Sequence, residues 1–172
     1  MFPLKPITPA GIPKALEKAQ HYRLLNEPRQ AESICRDILA IDQRDHRALT
    51  TMLLALTDQF GRGSHVLLEH AQEVLPRLED DYERAYYAGI VFERWAKAQM
   101  DLGVPGHVAF DLLRCAMDHY EAAEKLSPEG NDDAILRWNT CVRILHRHPE
   151  IRPRSEDAVQ VVDIGDSAPL PP

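Results

Sequence analysis

Apolar positions along the chain return with the period of an α-helix. Ala31, Ile34, Cys35, Ile38 and Leu39 step by three, one, three and one, which places them along a single face. Ala48, Leu49, Met52, Leu53 and Leu56 form a second stripe, and Ile135, Trp138, Val142 and Leu145 another. The longest stripe runs from Ala109 through Leu112, Leu113, Ala116, Met117 and Tyr120 to Ala123, about four helical turns. Tyr82 to Leu102 carries Tyr86, Ile90, Trp95 and Met100 without a proline and reads as one long helix. The pattern predicts about seven helices, over 13–25, 28–41, 45–59, 65–78, 81–102, 106–126 and 131–147, and hence an all-α fold.

Prolines punctuate this pattern. Pro28 and Pro105 stand where helices begin, a position at which a missing N–H is harmless. Pro128 stops the longest stripe, and Pro76 predicts that its helix kinks or ends near Val74. Short loops at Asn26-Glu27, Gly61-Arg62-Gly63 and Leu102-Gly103-Val104 make consecutive helices antiparallel neighbours. Nine of the thirteen prolines lie at the two ends. They divide the chain into a Pro-rich N-terminal arm (1–12), a helical domain (13–148) and a Pro-rich, charged tail (149–172) expected to be mobile. Within that tail, Ala158 to Ile164 is the one piece with an extended, strand-like alternation.

With 172 residues, 44% hydrophobic and 27% charged, the chain has the composition of a globular domain with a real core. Its net charge of −7 argues against nucleic acid as a partner, which calls for a basic face. No apolar run approaches the ~20 residues of a membrane span, and residues 1–12 lack the basic start and apolar stretch of a leader. Cys35, Cys115 and Cys141, an odd number without tight spacing, fit a reducing compartment, so a cytoplasmic location is expected.

Self-similarity adds the strongest signal. Ala31-Glu-Ser-Ile-Cys35-Arg-Asp-Ile38-Leu39-Ala-Ile41-Asp42 aligns with Ala116-Met-Asp-His-Tyr120-Glu-Ala-Ala123-Glu-Lys-Leu126-Ser127. Each has a small residue followed at +4 and +7 by core positions, then a polar turn and a new helix that starts with Ala48 or Ala134. Such a helix pair cannot bury its apolar face alone and stacks on its neighbour. These segments resemble the second helix of the tetratricopeptide repeat (TPR), whose small-x3-aromatic-x2-small-x4-Pro pattern is met by Ala116, Tyr120, Ala123 and Pro128. The first copy matches at Ala31, with Ala19 and Tyr22 in the preceding helix, and departs at Cys35, Ile38 and Gln43. A middle copy around Ala71 is weak. The spacings of 40 and 45 residues between Ala31, Ala71 and Ala116 exceed the ~34 of a standard repeat. The resemblance covers about residues 13–147 and implies a TPR-like α-solenoid with irregular second and third units.

Catalytic and metal chemistry find little support in the spacing. A helical zinc or di-iron site uses His at i, i+4 or Glu three residues before His, and none of the eight histidines meets either rule. His146 and His148, with Cys141 nearby, read as surface histidines, so no metal and no cofactor is expected. The serines sit in no nucleophile elbow, and the cysteines lie on or beside apolar stripes, as small core residues do. Gly61-Arg62-Gly63 lacks the further glycine and lysine of a phosphate loop and reads as a turn, with Ser64 capping the next helix. Asp80-Asp81 and Asp132-Asp133 stand at helix starts, where carboxylates complement the dipole.

Recognition by a surface remains. The resemblance implies a groove, lined by the first helix of each pair, that holds an extended peptide or a partner helix. One version in the family grips a carboxylate with Lys, Asn and Arg; Asn139 and Arg143 look like part of such a clamp, with Arg137 beside them and Arg47 as a contributor. Leu16, Gln20, Thr51 and Leu54 fall near the matching places in the earlier helices, so a full clamp is not expected. Arginine supplies fifteen of the twenty basic residues, which favours a protein partner with an acidic or extended segment. The sequence therefore points to a non-catalytic protein-binding adaptor. Two alternatives stay open. One is a self-assembling structural subunit, with Trp138 or Trp95 on an exposed patch; the other is an enzyme or ligand-binding bundle with a pocket between the two longest helices.

Overall fold

The computed structural model describes residues 2–62 and 64–154, and among these the regular structure is entirely helical. Its α-helices are α1 (Ile12–Leu24), α2 (Pro28–Ile41), α3 (His46–Thr57), α4 (His65–Val74), α5 (Asp81–Asp101), α6 (Gly106–Leu126) and α7 (Asp133–Arg147). Short 3-10 turns precede α1 and follow α3 and α4. Local chemistry sets the boundaries. Asp45 and Asp80 cap α3 and α5, each carboxylate accepting from a backbone N–H three residues on at 2.8 Å. Asn26 takes a left-handed φ of 59° to turn the chain out of α1, and Gly103 does the same after α5 at 75°. Helix α4 stops at Val74, and Pro76 lies in the 3-10 turn Leu75–Arg77, as the proline requires. Ser64 stands at the start of α4, but its side chain makes no capping hydrogen bond; the expected cap is absent there.

Consecutive helices pack as stacked antiparallel pairs, α1 on α2, α3 on α4, and α5 on α6 with α7 following. The odd-numbered helices also touch one another in sequence, α1 with α3, α3 with α5 and α5 with α7. That double set of contacts is a helical solenoid. The small residue at the matching place of each even helix, Ala31, Ala71 and Ala116, is 0% exposed, so all three units use it for close helix contact. The second unit is the irregular one: α4 spans 10 residues against 21 in α6.

Two apolar clusters form the core. The first joins α1 to α4 through Leu16, Ile38, Leu49, Leu53 and Phe60, and reaches Val91 and Trp95 of α5. The second joins α5, α6 and α7 through Ile90, Leu113, Tyr120 and Cys141. Helix α5 therefore walls both. Trp95 is buried edge-on to Phe60, with ring centroids 5.3 Å apart, which removes it as an exposed docking residue. Trp138 is half-buried on the second cluster and donates to Glu121 Oε1 at 3.2 Å.

Residues on either side of 13–148 also meet the core. Ile7, in the N-terminal arm, packs on the first cluster, while Phe2 and Leu4 are exposed. At the other end Ile151 is buried in the second cluster, and the Glu150 backbone lies so close to Gly106 that a side chain there would overlap it. Arg154 donates to His107 Nε2 at 2.9 Å. Residues 149–154 are thus packed against the start of α6, because an isoleucine among the polar tail residues finds an apolar seat. The strand-like piece Ala158 to Ile164 lies outside the described residues.

Gly89 permits a close approach of α6 to α5. A Cβ there would overlap the ring of Tyr120, which is wholly buried and tethered through its hydroxyl. Gly89→Ala should therefore destabilise the protein by about 1–3 kcal/mol, overpacking outweighing the gain in helix propensity. A thermal or urea midpoint equal to or above wild type contradicts this packing.

Candidate partner-binding surface

The odd helices α1, α3, α5 and α7 are tied together by polar contacts that run across the stack. Arg23 of α1 donates through Nε to Asp58 Oδ2 at 2.8 Å, just past the end of α3. Asp58 Oδ1 accepts from Arg94 of α5, which also donates to Thr57 Oγ1 at 2.7 Å. Higher on the same helices His46 pairs with Glu83.

Adjacent to Arg94, the carboxylate of Glu93 is 0% exposed. Its Oε2 accepts the Tyr120 hydroxyl of α6 at 2.6 Å, and its Oε1 accepts Lys97 Nζ and, at 3.5 Å, a guanidinium nitrogen of Arg137 in α7. One buried side chain thus holds three helices. Desolvating a carboxylate costs several kcal/mol, which two cations and a phenol offset. Among the described residues no buried side-chain nitrogen or oxygen lacks a partner. Burial and the neighbouring Glu93 push the Tyr120 phenol far above its ordinary range, so it remains a donor. Burial works against the Arg137 charge, but Glu93 and Tyr86 overcome it and hold the guanidinium above its ordinary value. The cations reach solvent on their other sides, Lys97 at 42%, Arg137 at 34% and Arg94 at 26% exposure. Beside them opens a cavity of about 230 Å³ between Thr57, Asp58, Phe60, Arg94, Lys97 and Asp101.

Periodicity separates the sequence-derived candidates on α7. Arg137 faces α5 and the Glu93 cluster. Asn139 and Arg143 lie four residues apart on the side turned away from Ala134 and Cys141, half-buried and exposed respectively. Arg47 is exposed near the start of α3, with α5 packed against both helices. Of the earlier positions, Leu16 and Thr51 are buried and so face the core rather than a ligand, whereas Gln20 is exposed.

Glu93, Lys97, Arg94 and Asp58 carry this surface and were not singled out from the sequence. The signal existed: Tyr86, Ile90, Glu93 and Lys97 step by four, three and four, which places a carboxylate on an apolar stripe. A Glu followed by Lys at i+4 reads equally well as a solvated surface pair, and only the partners from α6 and α7 decide between them.

Among the described residues, no three His, Cys, Asp or Glu side chains converge as metal ligands, and no helix is long and apolar enough to cross a membrane. His146 is exposed, and His148 bonds Glu150 at 2.9 Å. Burial holds the Cys35 thiol up at about 12, and burial with Glu93 nearby does the same to Cys141. No protein-family model, curated protein or solved structure matches this chain.

Two outcomes follow from these environments. Tyr120→Phe should lower stability by about 1–3 kcal/mol, the worth of a hydrogen bond to a charged group. Glu93→Ala should lower it by about 3–5 kcal/mol, by leaving two cations and the phenol unpaired; equal effects in urea titrations contradict the clustered arrangement. Separately, Cys35 and Cys141 stay neutral in the fold up to about 12 but ionise from 9.0 when exposed. Their contribution is present below pH 9 and lost as pH rises toward 12, so the urea midpoint should fall between about pH 8 and about pH 11. A flat profile contradicts it.

Proposed function

We propose that this chain is a non-catalytic, TPR-like scaffold of the cytoplasm that holds an acidic or extended segment of another protein. The observation that carries the reading is the row α1, α3, α5, α7, cross-linked by Arg23–Asp58–Arg94 and Lys97–Glu93–Arg137. A surface whose charged groups are already fixed by neighbours loses little side-chain freedom on binding. Among the described residues, Arg94, Lys97 and Arg137 each use only part of their donor capacity, which suits them to carboxylates. Arg47 near the start of α3, and Asn139 and Arg143 on the outer side of α7, offer further donors of the same kind. Three cysteines without a disulfide fit a reducing compartment.

A second reading, self-assembly, draws on one observation: Leu136 is 60% and Ile135 37% exposed on the last described helix. Sedimentation of the purified protein separates the two, since a concentration-dependent oligomer supports assembly and a monomer supports the scaffold.

Affinity capture from the source lysate tests the scaffold directly. One stoichiometric partner should co-purify, and Asn139→Ala/Arg143→Ala should weaken its retention at least about tenfold, the loss of one charged hydrogen bond or more. Recovery of the protein alone, as a stable oligomer, contradicts the reading. A partner held equally by the double variant removes these two residues from the site.

A further inference from the structure

Pro3, Pro6 and Pro9 recur at every third position of the arm that precedes α1. Each proline fixes its own φ at about −65° and drives the residue before it to extended backbone, so Phe2, Lys5 and Thr8 are constrained as well. Thr8 shows the result, with φ −87° and ψ 150°. The run from Phe2 to Pro9 is thereby restrained toward the left-handed polyproline II helix, which has three residues per turn.

That period divides the arm into three edges. Ile7 shares one edge with Leu4 and packs on the first core cluster. The other two edges carry Phe2, Lys5 and Thr8, and Pro3, Pro6 and Pro9, and each of these residues is exposed. Leu4, one turn beyond Ile7, is 91% exposed, so only the base of the arm is anchored. Residues 2–7 make no backbone–backbone hydrogen bond with another described residue. The arm thus turns three residue–proline pairs outward, Phe2-Pro3, Lys5-Pro6 and Thr8-Pro9, at intervals of about 9 Å. Its charge also differs from that of the whole chain. Lys5 and Lys14 precede the first carboxylate, Glu17, in a protein of net charge −7.

We propose that this arm is itself a ligand, which inserts its residue–proline pairs into the aromatic-lined groove of a proline-binding module with an acidic rim. The pyrrolidine rings pack between aromatic side chains, the free carbonyls accept from donors in the groove, and Lys5 pairs with the rim. The prolines set the bound conformation in advance, so docking costs little backbone freedom. Ile7 holds the third edge on the domain and leaves the two recognition edges facing out. The arm leads into α1, the first helix of the stack, whereas Asn139 and Arg143 lie on α7, the last described helix. The chain can therefore hold two different proteins at once, one at each end.

Calorimetric titration of the full chain with a panel of purified, acidic-rimmed SH3 and WW modules tests the arm. At least one module should bind, and Pro3→Ala/Pro6→Ala should weaken that complex at least about tenfold. Pro3→Leu/Leu4→Pro keeps the composition but breaks the three-residue period, and should weaken it as much. Lys5→Glu should weaken binding in dilute buffer and have little effect in about 1 M salt, where the rim charge is screened. No module binding at up to about 1 mM overturns the proposal. So do equal affinity of the period-breaking variant, or association of the protein with itself that the same variants abolish. Thermal melts of the variants should match wild type, since the substituted residues lie outside both core clusters. An earlier melt would place those prolines in the fold and contradict the proposal. None of the substitutions touches α1, α3, α5 or α7, so failure here leaves the scaffold reading standing.

Discussion

Tyr120 crosses the middle of the molecule with its ring laid on Gly89 and its hydroxyl on the buried carboxylate of Glu93. Much of the architecture depends on that contact. The ring requires a residue without a side chain in α5, and Gly89 supplies it. The hydroxyl requires an acceptor in a dry place, and the acceptor in turn requires Lys97 and Arg137 to offset its desolvation. Arg137 belongs to α7, so the last helix is held by the same carboxylate that holds α6. One helix, α5, presents this cluster on one side and Val91 and Trp95 on another, and thereby joins the two halves of the core.

Most of the fold was legible in the sequence because helical periodicity, prolines and turn residues agree along the chain. Pro76 marked the end of α4 at Val74, and Pro28, Gly103 and Pro128 marked other boundaries. The small residues Ala31, Ala71 and Ala116 signalled three units, and each is buried in its even helix. Less legible was anything decided by a partner distant in sequence. Glu93 occupies an apolar stripe, yet its burial depends on Tyr120 and Arg137, 27 and 44 residues away. Trp95, a candidate for an exposed patch from the sequence, is buried because the turn at Phe60 packs edge-on against it. Ile151 is a single apolar residue in a charged, Pro-rich run, and periodicity has no purchase on one residue.

The polar surface inherits its character from this packing. Arg94 and Lys97 are adjacent turns of the helix that walls both cores, so their positions are fixed by buried neighbours on either side. Arg23 and Asp58 carry the same fixation to α1 and α3. Fixed cations with unused donors are suited to recognising carboxylates, and repeat architecture provides them in a row. The irregular second unit, with its short α4, leaves that row intact because α3 and α5 touch directly.

If α5 is the shared wall, the two clusters should unfold as one. Trp95 reports on the first cluster and Trp138 on the second, so Trp138→Phe and Trp95→Phe variants each isolate one reporter. Urea unfolding of each variant, followed by fluorescence and by helical circular dichroism, is the direct measurement. The account predicts that within each variant the two signals share one midpoint, as a two-state transition demands. A fluorescence midpoint that separates from the helical signal in either variant would show that the halves unfold independently and would contradict it.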